Sequence, residues 1–217
     1  MATTKQQLDI PAIPSLGTSG IVYSQSVQNQ NNGLLRLFFT KLLNAIQSVI
    51  GPRGGKYLNN PYGAFQDSTD QVAASTTVAY PVTFNTTDFS NGVTISSNSR
   101  ITVADAGIWN LQFSIQFKNT TNDGQDVDIW FRKNGTNIAN SNSRFHPPPR
   151  KSGGDPSHII ASLNFFVDMA ANDYVEIMWR TENTGVTIEH LGTSTTPTRP
   201  AVPSVIATMS FVSNLPT

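Results

Sequence analysis

Apolar residues repeat at two different periods along this chain, and the change of period divides it into two parts. In residues 34–50 they recur three and four positions apart, as they do on one face of an α-helix. From Tyr62 onward they alternate with polar residues, as they do in a strand with one buried face. We therefore expect one helix within residues 1–60 and a β-domain over residues 61–217.

The predicted helix spans residues 33–50 and is strongly apolar. Asn32 before it is a good N-cap, and Gly51-Pro52 after it is a good stop signal. Its wide apolar face comprises Leu34, Leu35, Phe38, Phe39, Leu42, Ile46 and Val49. A helix this short is marginally stable in water without a partner. The face is expected to pack on its own domain or, in the reading we favour, to meet sister helices or a socket. Residues 1–30 are expected to form an extended, irregular arm.

The clearest strand covers residues 108–118, where apolar and polar side chains alternate without a break. Further strands are predicted over residues 77–84, 92–96, 100–104, Val127–Lys133, 158–168, Tyr174–Thr181, 186–190 and Val205–Ser213. Short strands with turn residues between them and no helical pattern predict an all-β, antiparallel sandwich or jelly roll. The predicted core contains the aromatic residues on the apolar sides of these strands, Trp109, Phe113, Phe117, Trp179 and Phe211.

Composition excludes several classes of function. Charged residues make up 13 % of the 217, the formal net charge is zero, and no cluster of Lys and Arg occurs. Neither nucleic-acid binding nor attachment to a membrane surface is therefore expected, because both need clustered positive charge. The 20 Asn, 24 Thr and 21 Ser leave a surface of uncharged hydrogen-bonding groups, and there is no cysteine. We expect no membrane insertion, because no stretch approaches the apolar length of a membrane span.

Three segments of the β-domain resemble the C1q/TNF-like jelly roll. Residues 101–113 place a glycine turn before an aromatic strand, residues 163–179 form an apolar strand, an Asn-Asp turn and a second apolar strand, and residues 205–211 are similar to the final strand of that family. The resemblance implies a homotrimer packed around a three-fold axis.

A second resemblance concerns residues 33–65, which contain GLLRLFF and GPRGGKYLNNPYGAF. They are similar to segments of small structural proteins of tailed phages, of the aquatic or cyanobacterial type, that place a short apolar helix before a C1q-like head. This resemblance implies a non-enzymatic protein on the virion exterior, assembled in the host cytoplasm. It would be a tail or vertex fibre appendage, bound to other virion proteins through residues 1–60. Its head would face a host surface glycan or receptor.

Two other functions remain open. The protein could be a capsid decoration protein at three-fold positions, or a bacterial C1q-like carbohydrate-binding module. An enzyme is not expected. His146, His158 and His190 have no partner at a hydrolase spacing. The candidate acids are Glu176, Glu182 and Glu189, and nothing sets two of them at a glycosidase separation.

Two further segments carry candidate chemistry. Asp126 and Asp128 lie on the same strand face in a short acidic stretch, where either calcium binding or a turn with solvated acids fits, and we favour the turn. No cofactor or metal ion is expected. A polyproline segment is a candidate exposed contact loop, comprising His146, Pro147, Pro148, Pro149, Arg150 and Lys151, unless it is only a stiff connection between strands.

Overall fold

The computed structural model describes residues 12–18, 20, 22–50 and 60–215, and the side chains of the helix as far as Ile46. The chain forms two compact units, Met1–Asn59 and Asn60–Thr217. The first contains helix α1, Gln25–Ile50. The strands of the second are β1 Tyr62–Asp67, β2 Gln71–Val72, β3 Tyr80–Pro81, β4 Thr86–Asn91, β5 Val93–Ser96, β6 Arg100–Val103, β7 Gly107–Asn119, β8 Val127–Lys133, β9 Thr136–Asn137, β10 Ser143–Phe145, β11 Ser157–Met169, β12 Tyr174–Thr181, β13 Val186–Ile188, β14 Ser194–Thr195, β15 Thr198–Arg199 and β16 Val205–Ser213.

Helix α1 begins eight residues earlier than the sequence predicted, so the expectation of an irregular segment up to residue 30 was wrong. Ser24 caps the helix, because its Oγ accepts the amide of Val27 at 3.5 Å and its carbonyl accepts the amide of Gln28 at 3.1 Å. Asn31 then holds the preceding chain on the helix. Its side chain accepts the Gly17 amide at 3.0 Å and donates to the Gly17 carbonyl at 2.9 Å. The amide-rich segment is therefore helical because Ser24 caps its first turn and the hydrogen bonds between Asn31 and Gly17 hold it in place.

The first sheet of the β-domain has β7 at its centre. Strand β11 pairs with one edge of β7 along its whole length, and β16 and β13 share the other edge. Beyond β16 lie β1 and then β4, so the main strands run in the order β11, β7, β16, β1, β4, all antiparallel. Within the described chain, β11 is therefore an edge strand, with its far edge unpaired.

The second sheet has the order β10, β8, β12, β6, β5, and its pairs are also antiparallel. The core lies between the two sheets, where alternate side chains of β7, β8, β12 and β16 meet. The β-domain is thus an antiparallel sandwich, as the alternating pattern predicted. Three predicted strands, Val127–Lys133, Tyr174–Thr181 and Val205–Ser213, have the observed bounds.

Other strands differ from the prediction. Only Tyr80–Pro81 of the predicted strand 77–84 is a strand, because residues 76–78 form a turn. The pattern also missed β1 and β4. Both sides of β4 are largely exposed, so its residues show no alternation for a pattern to detect.

The predicted core is confirmed except at Phe211. Trp109, Phe113, Phe117 and Trp179 are buried, whereas Phe211 is half-buried at the end of β16 and packs its ring edge-on against Trp109, with the ring centres 5.5 Å apart. Gly107 lies against the Phe211 ring. A Cβ at Gly107 would come within 2.3 Å of the Phe211 ring, so only glycine fits there.

Candidate functional site

The outer face of the first sheet carries a patch without charge, which we call the uncharged face. Its rows cross three strands, with Asn164, Gln112 and Thr208 forming one row and Phe166, Asn110 and Ser210 the next. The complete set is Ile160, Ser162, Asn164 and Phe166 of β11, Asn110, Gln112, Ser114 and Gln116 of β7, and Ile206, Thr208 and Ser210 of β16. Ile160 and Phe166 are 65 % and 55 % exposed. The patch combines exposed apolar side chains with uncharged polar groups.

The outer face of the second sheet is different, because buried carboxylates there bind arginines from neighbouring strands. Glu176 on β12 accepts Arg132 Nε and Nη2, both at 2.9 Å, and the hydroxyl of Ser99 at 2.8 Å. The sequence had offered Glu176, with Glu182 and Glu189, as a catalytic candidate. Its carboxylate is instead enclosed in an ion pair, which is the usual way for a protein to bury a charge.

Asp128 forms the second such cluster. Its Oδ1 accepts Arg144 Nε at 2.9 Å and its Oδ2 accepts Arg180 Nε at 2.8 Å. Burial by itself raises the pKa of the Asp128 carboxyl, but the hydrogen bonds and charges of the two arginines outweigh it, so the pKa lies below its ordinary value. The interpretation of Asp126 and Asp128 as solvated turn acids was wrong. Asp126 Oδ2 also accepts a hydrogen bond from Arg144 Nη1 at 3.1 Å, and Asp126 Oδ1 lies 2.7 Å from His146 Nδ1.

Between these two clusters, a loop of residues 138–142 closes over the edge of β8. Both backbone groups of Phe131 bond to it, since its amide donates to Ser141 Oγ at 3.1 Å and its carbonyl accepts the Ile138 amide at 2.9 Å. The buried Ser141 hydroxyl donates in turn to the Ile138 carbonyl at 2.8 Å. The loop is therefore held in one conformation by its own backbone and a single buried side chain.

An open cleft of about 320 Å³ lies between the loop and the sheet, and we call it the Trp130 cleft. Its lining residues are Asp128, Trp130 and Arg180 from the sheet and Asn137, Ile138, Asn140 and Asn142 from β9 and the loop. The indole Nε1 of Trp130 donates to Asn137 Oδ1 at 2.9 Å, which sets the orientation of the ring. The three asparagines are exposed, and Asn140 has a left-handed backbone with φ of 59°.

The candidate contact loop, residues 146–151, is only partly available to a partner. Pro147 is buried, so its place in the predicted exposed set was wrong. The carbonyl of Pro147 accepts the Gln125 amide at 3.1 Å, and the carbonyl of Pro148 accepts the Asn119 side chain at 2.9 Å. His146, Pro148, Pro149, Arg150 and Lys151 remain exposed. The first half of the segment is thus a connection tied into the domain, as the alternative reading held.

The other two histidines lie near acids. His158 Nε2 is 2.8 Å from Glu189 Oε2, while Lys118 Nζ binds Glu189 Oε1 at 2.7 Å. The backbone amide of His190 donates to Asp70 Oδ1 at 2.7 Å. Among the described residues, no three side chains of the metal-binding types come together as a candidate metal site. We find no arrangement of nucleophile and base among these groups.

The predicted anchoring face of α1 is only partly covered. Leu35, Phe38 and Leu42 are half-buried, while Leu34, Phe39 and Ile46 are exposed, and the Val49 side chain lies outside the described residues. Leu37 and Leu43, which the prediction omitted, are also exposed, at 55 % and 54 %. The apolar surface of α1 is therefore wider than the predicted face. No described helix combines the length and apolar character needed to cross a membrane.

Comparison with known proteins assigns no relative to this chain, because no family model matches it and no curated protein matches it. Within the described part of the β-domain, the uncharged face and the Trp130 cleft are the surfaces that we interpret functionally. Sequence reasoning missed both. Their residues come from different strands, and only the pairing of β7 with β11, or of β8 with β12, brings them together.

Proposed function

We propose that this chain is a non-enzymatic structural protein of a phage particle, a homotrimeric appendage of the tail or vertex. In this proposal, residues 1–60 bind other virion proteins, and the β-sandwich forms a head on the particle exterior. The observation that carries the proposal is the uncharged face. This sheet face has the composition of a protein interface, and it includes the long edge strand β11.

The strand order supports a jelly-roll head. Eight strands nest in pairs, β1 with β16, β6 with β12, β7 with β11 and β8 with β10. The chain thus runs out along β1, β6, β7 and β8 and returns along β10, β11, β12 and β16, with each returning strand beside its outgoing partner. This nesting in two sheets is the pattern of a jelly roll. It agrees with the C1q/TNF-like resemblance, which implies a trimer.

The uncharged face has the composition of a subunit interface. The cores of protein interfaces are poor in charged residues and rich in apolar and aromatic ones. Ile160, Phe166 and Ile206 supply exposed apolar area, and the amides and hydroxyls between them can bond to their counterparts on another copy. The zero net charge of the chain removes the usual repulsion against such self-association.

The helix supports an anchoring role for the first unit. Apolar side chains at Leu37, Phe39 and Leu43 are exposed in water, and such surface is stabilised when a partner covers it. Sister helices or a socket of the particle would provide that cover. The phage setting comes from the resemblance of residues 33–65 to small virion proteins. A decoration protein at capsid three-fold positions would also use the apolar surface of α1 and the uncharged face. We favour the appendage because α1 belongs to a unit separate from the β-domain.

Light scattering of the purified full chain tests the trimer and its interface together. We expect three times the 23.6 kDa of one chain at micromolar concentration. Phe166→Glu and Ile160→Glu should shift the mass toward that of one chain, because a charge would be buried without a partner. Val78→Glu, which alters an exposed apolar side chain in a turn, is the matched control and should remain trimeric. A monomeric wild type would refute the trimer, and trimeric Glu variants would refute this choice of interface.

A further inference from the structure

From the Trp130 cleft we infer that the head binds an uncharged saccharide there, with the sugar stacked on Trp130 and hydrogen-bonded by the surrounding amides and Arg180. This inference extends the proposed function, since a saccharide site would give the outward-facing head a ligand on a cell surface. The cleft itself lies wholly in the β-domain and does not depend on assembly.

The size and shape of the cleft fit a small polar ring. Its volume of about 320 Å³ lies at the lower end of the range for small-molecule sites, roughly 300–1,000 Å³. The aromatic ring and Ile138 give an apolar contact, and the other lining residues are polar. A pyranose has this same division, with C–H groups on its faces and hydroxyls around its rim.

The cleft is ready to bind without rearrangement. The Trp130 ring is held through its Nε1 by Asn137, and the Ser141 hydroxyl fixes the loop that carries Asn140. Groups that are already in place lose little conformational entropy on binding, so more of the contact energy appears as affinity. This rigidity is what a site for a weakly binding sugar requires.

Hydrogen-bonding capacity remains for the ligand. Arg180 donates its Nε to Asp128, and its Nη2 forms only a long ion pair with Glu182 at 4.0 Å, so its terminal nitrogens keep donors for a ligand. The amides of Asn140 and Asn142 both donate and accept, as sugar hydroxyls do, and Asn142 uses one donor in a long bond of 3.5 Å to Asp128 Oδ1. A sugar hydroxyl placed between such groups can donate one hydrogen bond and accept others at the same time.

The charges of the cleft favour an uncharged ligand. The two carboxylates Asp126 and Asp128 balance the charges of Arg144 and Arg180, so neither sign of charge is in excess beside the cleft. An anionic ligand would have to compete with Asp128 for the arginines, and a cation would meet the arginines themselves. An uncharged sugar avoids both costs.

Tryptophan fluorescence of the purified full chain tests the inference directly. Of the three tryptophans, Trp109 and Trp179 are buried, so quenching by acrylamide reports on Trp130. The probes are neutral oligosaccharides of glucose, mannose, galactose and N-acetylglucosamine, with sulfated oligosaccharides as the charged comparison. We expect at least one neutral probe at millimolar concentration to protect Trp130 from quenching.

Two variants identify the site, and calorimetric titration measures their affinity. Trp130→Phe should weaken binding of that probe at least tenfold and abolish the fluorescence change. Asn140→Gly, which keeps the left-handed backbone accessible, should also weaken binding at least tenfold, or about 1.4 kcal/mol. Asn98→Gly is the matched control, because Asn98 is an exposed asparagine with φ of 60° in another turn, and it should bind as wild type does.

Three results would overturn the inference. They are no protection by any neutral probe, unchanged affinity in both cleft variants, and binding of sulfated probes alone. If Trp130→Phe loses its native near-ultraviolet circular dichroism, Asn140→Gly decides the question alone. The assay is independent of assembly. A monomer that binds sugar refutes only the trimer, and a trimer that binds none refutes only the saccharide site.

Discussion

Arg180 and Asp128 face each other across β12 and β8, and the Arg180 Nε donates to Asp128 Oδ2 at 2.8 Å. Arg144 on β10 binds the other oxygen of the same carboxylate at 2.9 Å. One buried acid thus connects three neighbouring strands through side chains. The acid also lies in the Trp130 cleft, so the contact that stabilises this sheet edge shapes the candidate binding surface as well.

Replacing Asp128 by Asn should lower the free energy of unfolding at pH 7 by about 1–3 kcal/mol, the usual contribution of hydrogen bonds to a charged group. The amide keeps the shape of the side chain but cannot accept from both arginines. Denaturant titration measures the loss. Asp155→Asn, at an exposed acid, is the control and should change stability by less than about 0.5 kcal/mol. Equal stabilities of wild type and Asp128→Asn would contradict the assigned role.

The same pair of proteins should show a specific pH dependence. Since the pKa of Asp128 is lowered in the folded state, its contribution is fully present above the unfolded pKa of about 3.9 and is lost as pH falls through the lower folded pKa. The stability difference between wild type and Asp128→Asn should therefore be constant near neutral pH and shrink in strong acid. A difference that stays constant from neutral pH to pH 2 would exclude the carboxylate charge as its source.

Incorporation into particles should depend on the exposed side of α1. Phe39 and Leu43 are exposed, so replacing both by Asp leaves the fold of the chain intact while placing charge on the proposed contact surface. We expect particles assembled with this double variant to lack the protein, and its circular dichroism to retain the β-sheet signal. Lys41→Ala on the same helix should be incorporated normally. Normal copy number of the double variant would show that α1 is not the anchor.

Two aromatic truncations should differ in cost because their burial differs. Phe113→Ala should lower the free energy of unfolding by about 3–5 kcal/mol, the range for a fully buried ring. Phe211→Ala should cost about 1–2 kcal/mol, because that ring is only half-buried and less apolar area is lost. Denaturant titration of both variants gives the comparison. A larger loss of unfolding free energy in Phe211→Ala than in Phe113→Ala would mean that the contact of Phe211 with Trp109 stabilises the core more than the burial of Phe211 indicates.

The sequence predicted most accurately the strands that bury one face in the core. Val127–Lys133 and Tyr174–Thr181 alternate because each lies inside a sheet over the core, and the prediction found their bounds. Strand β4 lies at a sheet edge with both faces exposed, so its alternation is absent. The start of α1 was also missed. Ser24 is a local N-cap signal that the prediction overlooked in favour of Asn32, whereas the contact of Asn31 with Gly17, 14 residues away, is contained in no local pattern.

The candidate site could be predicted less well than the fold. The asparagines at positions 137, 140 and 142 are visible in the sequence, but they also suit ordinary turns. The sequence did contain one signal of the site, because Trp130 falls on the polar side of its strand. A large aromatic residue on that side does not pack into the core and is available to a ligand. Only the pairing of β8 with β12, together with the loop held by Ser141, places Trp130 beside Arg180 and Asn140.

The position of β1 has a mechanical consequence. The β-domain begins at Asn60 and continues directly into β1, which is hydrogen-bonded to β16 on one edge and to β4 on the other. A pull applied at Asn60 along the direction of β1 would strain the bonds of both edges in shear and together, instead of breaking them one after another. The β-domain is therefore suited to withstand a pull in that direction, which drag on a particle would impose on the head that we propose.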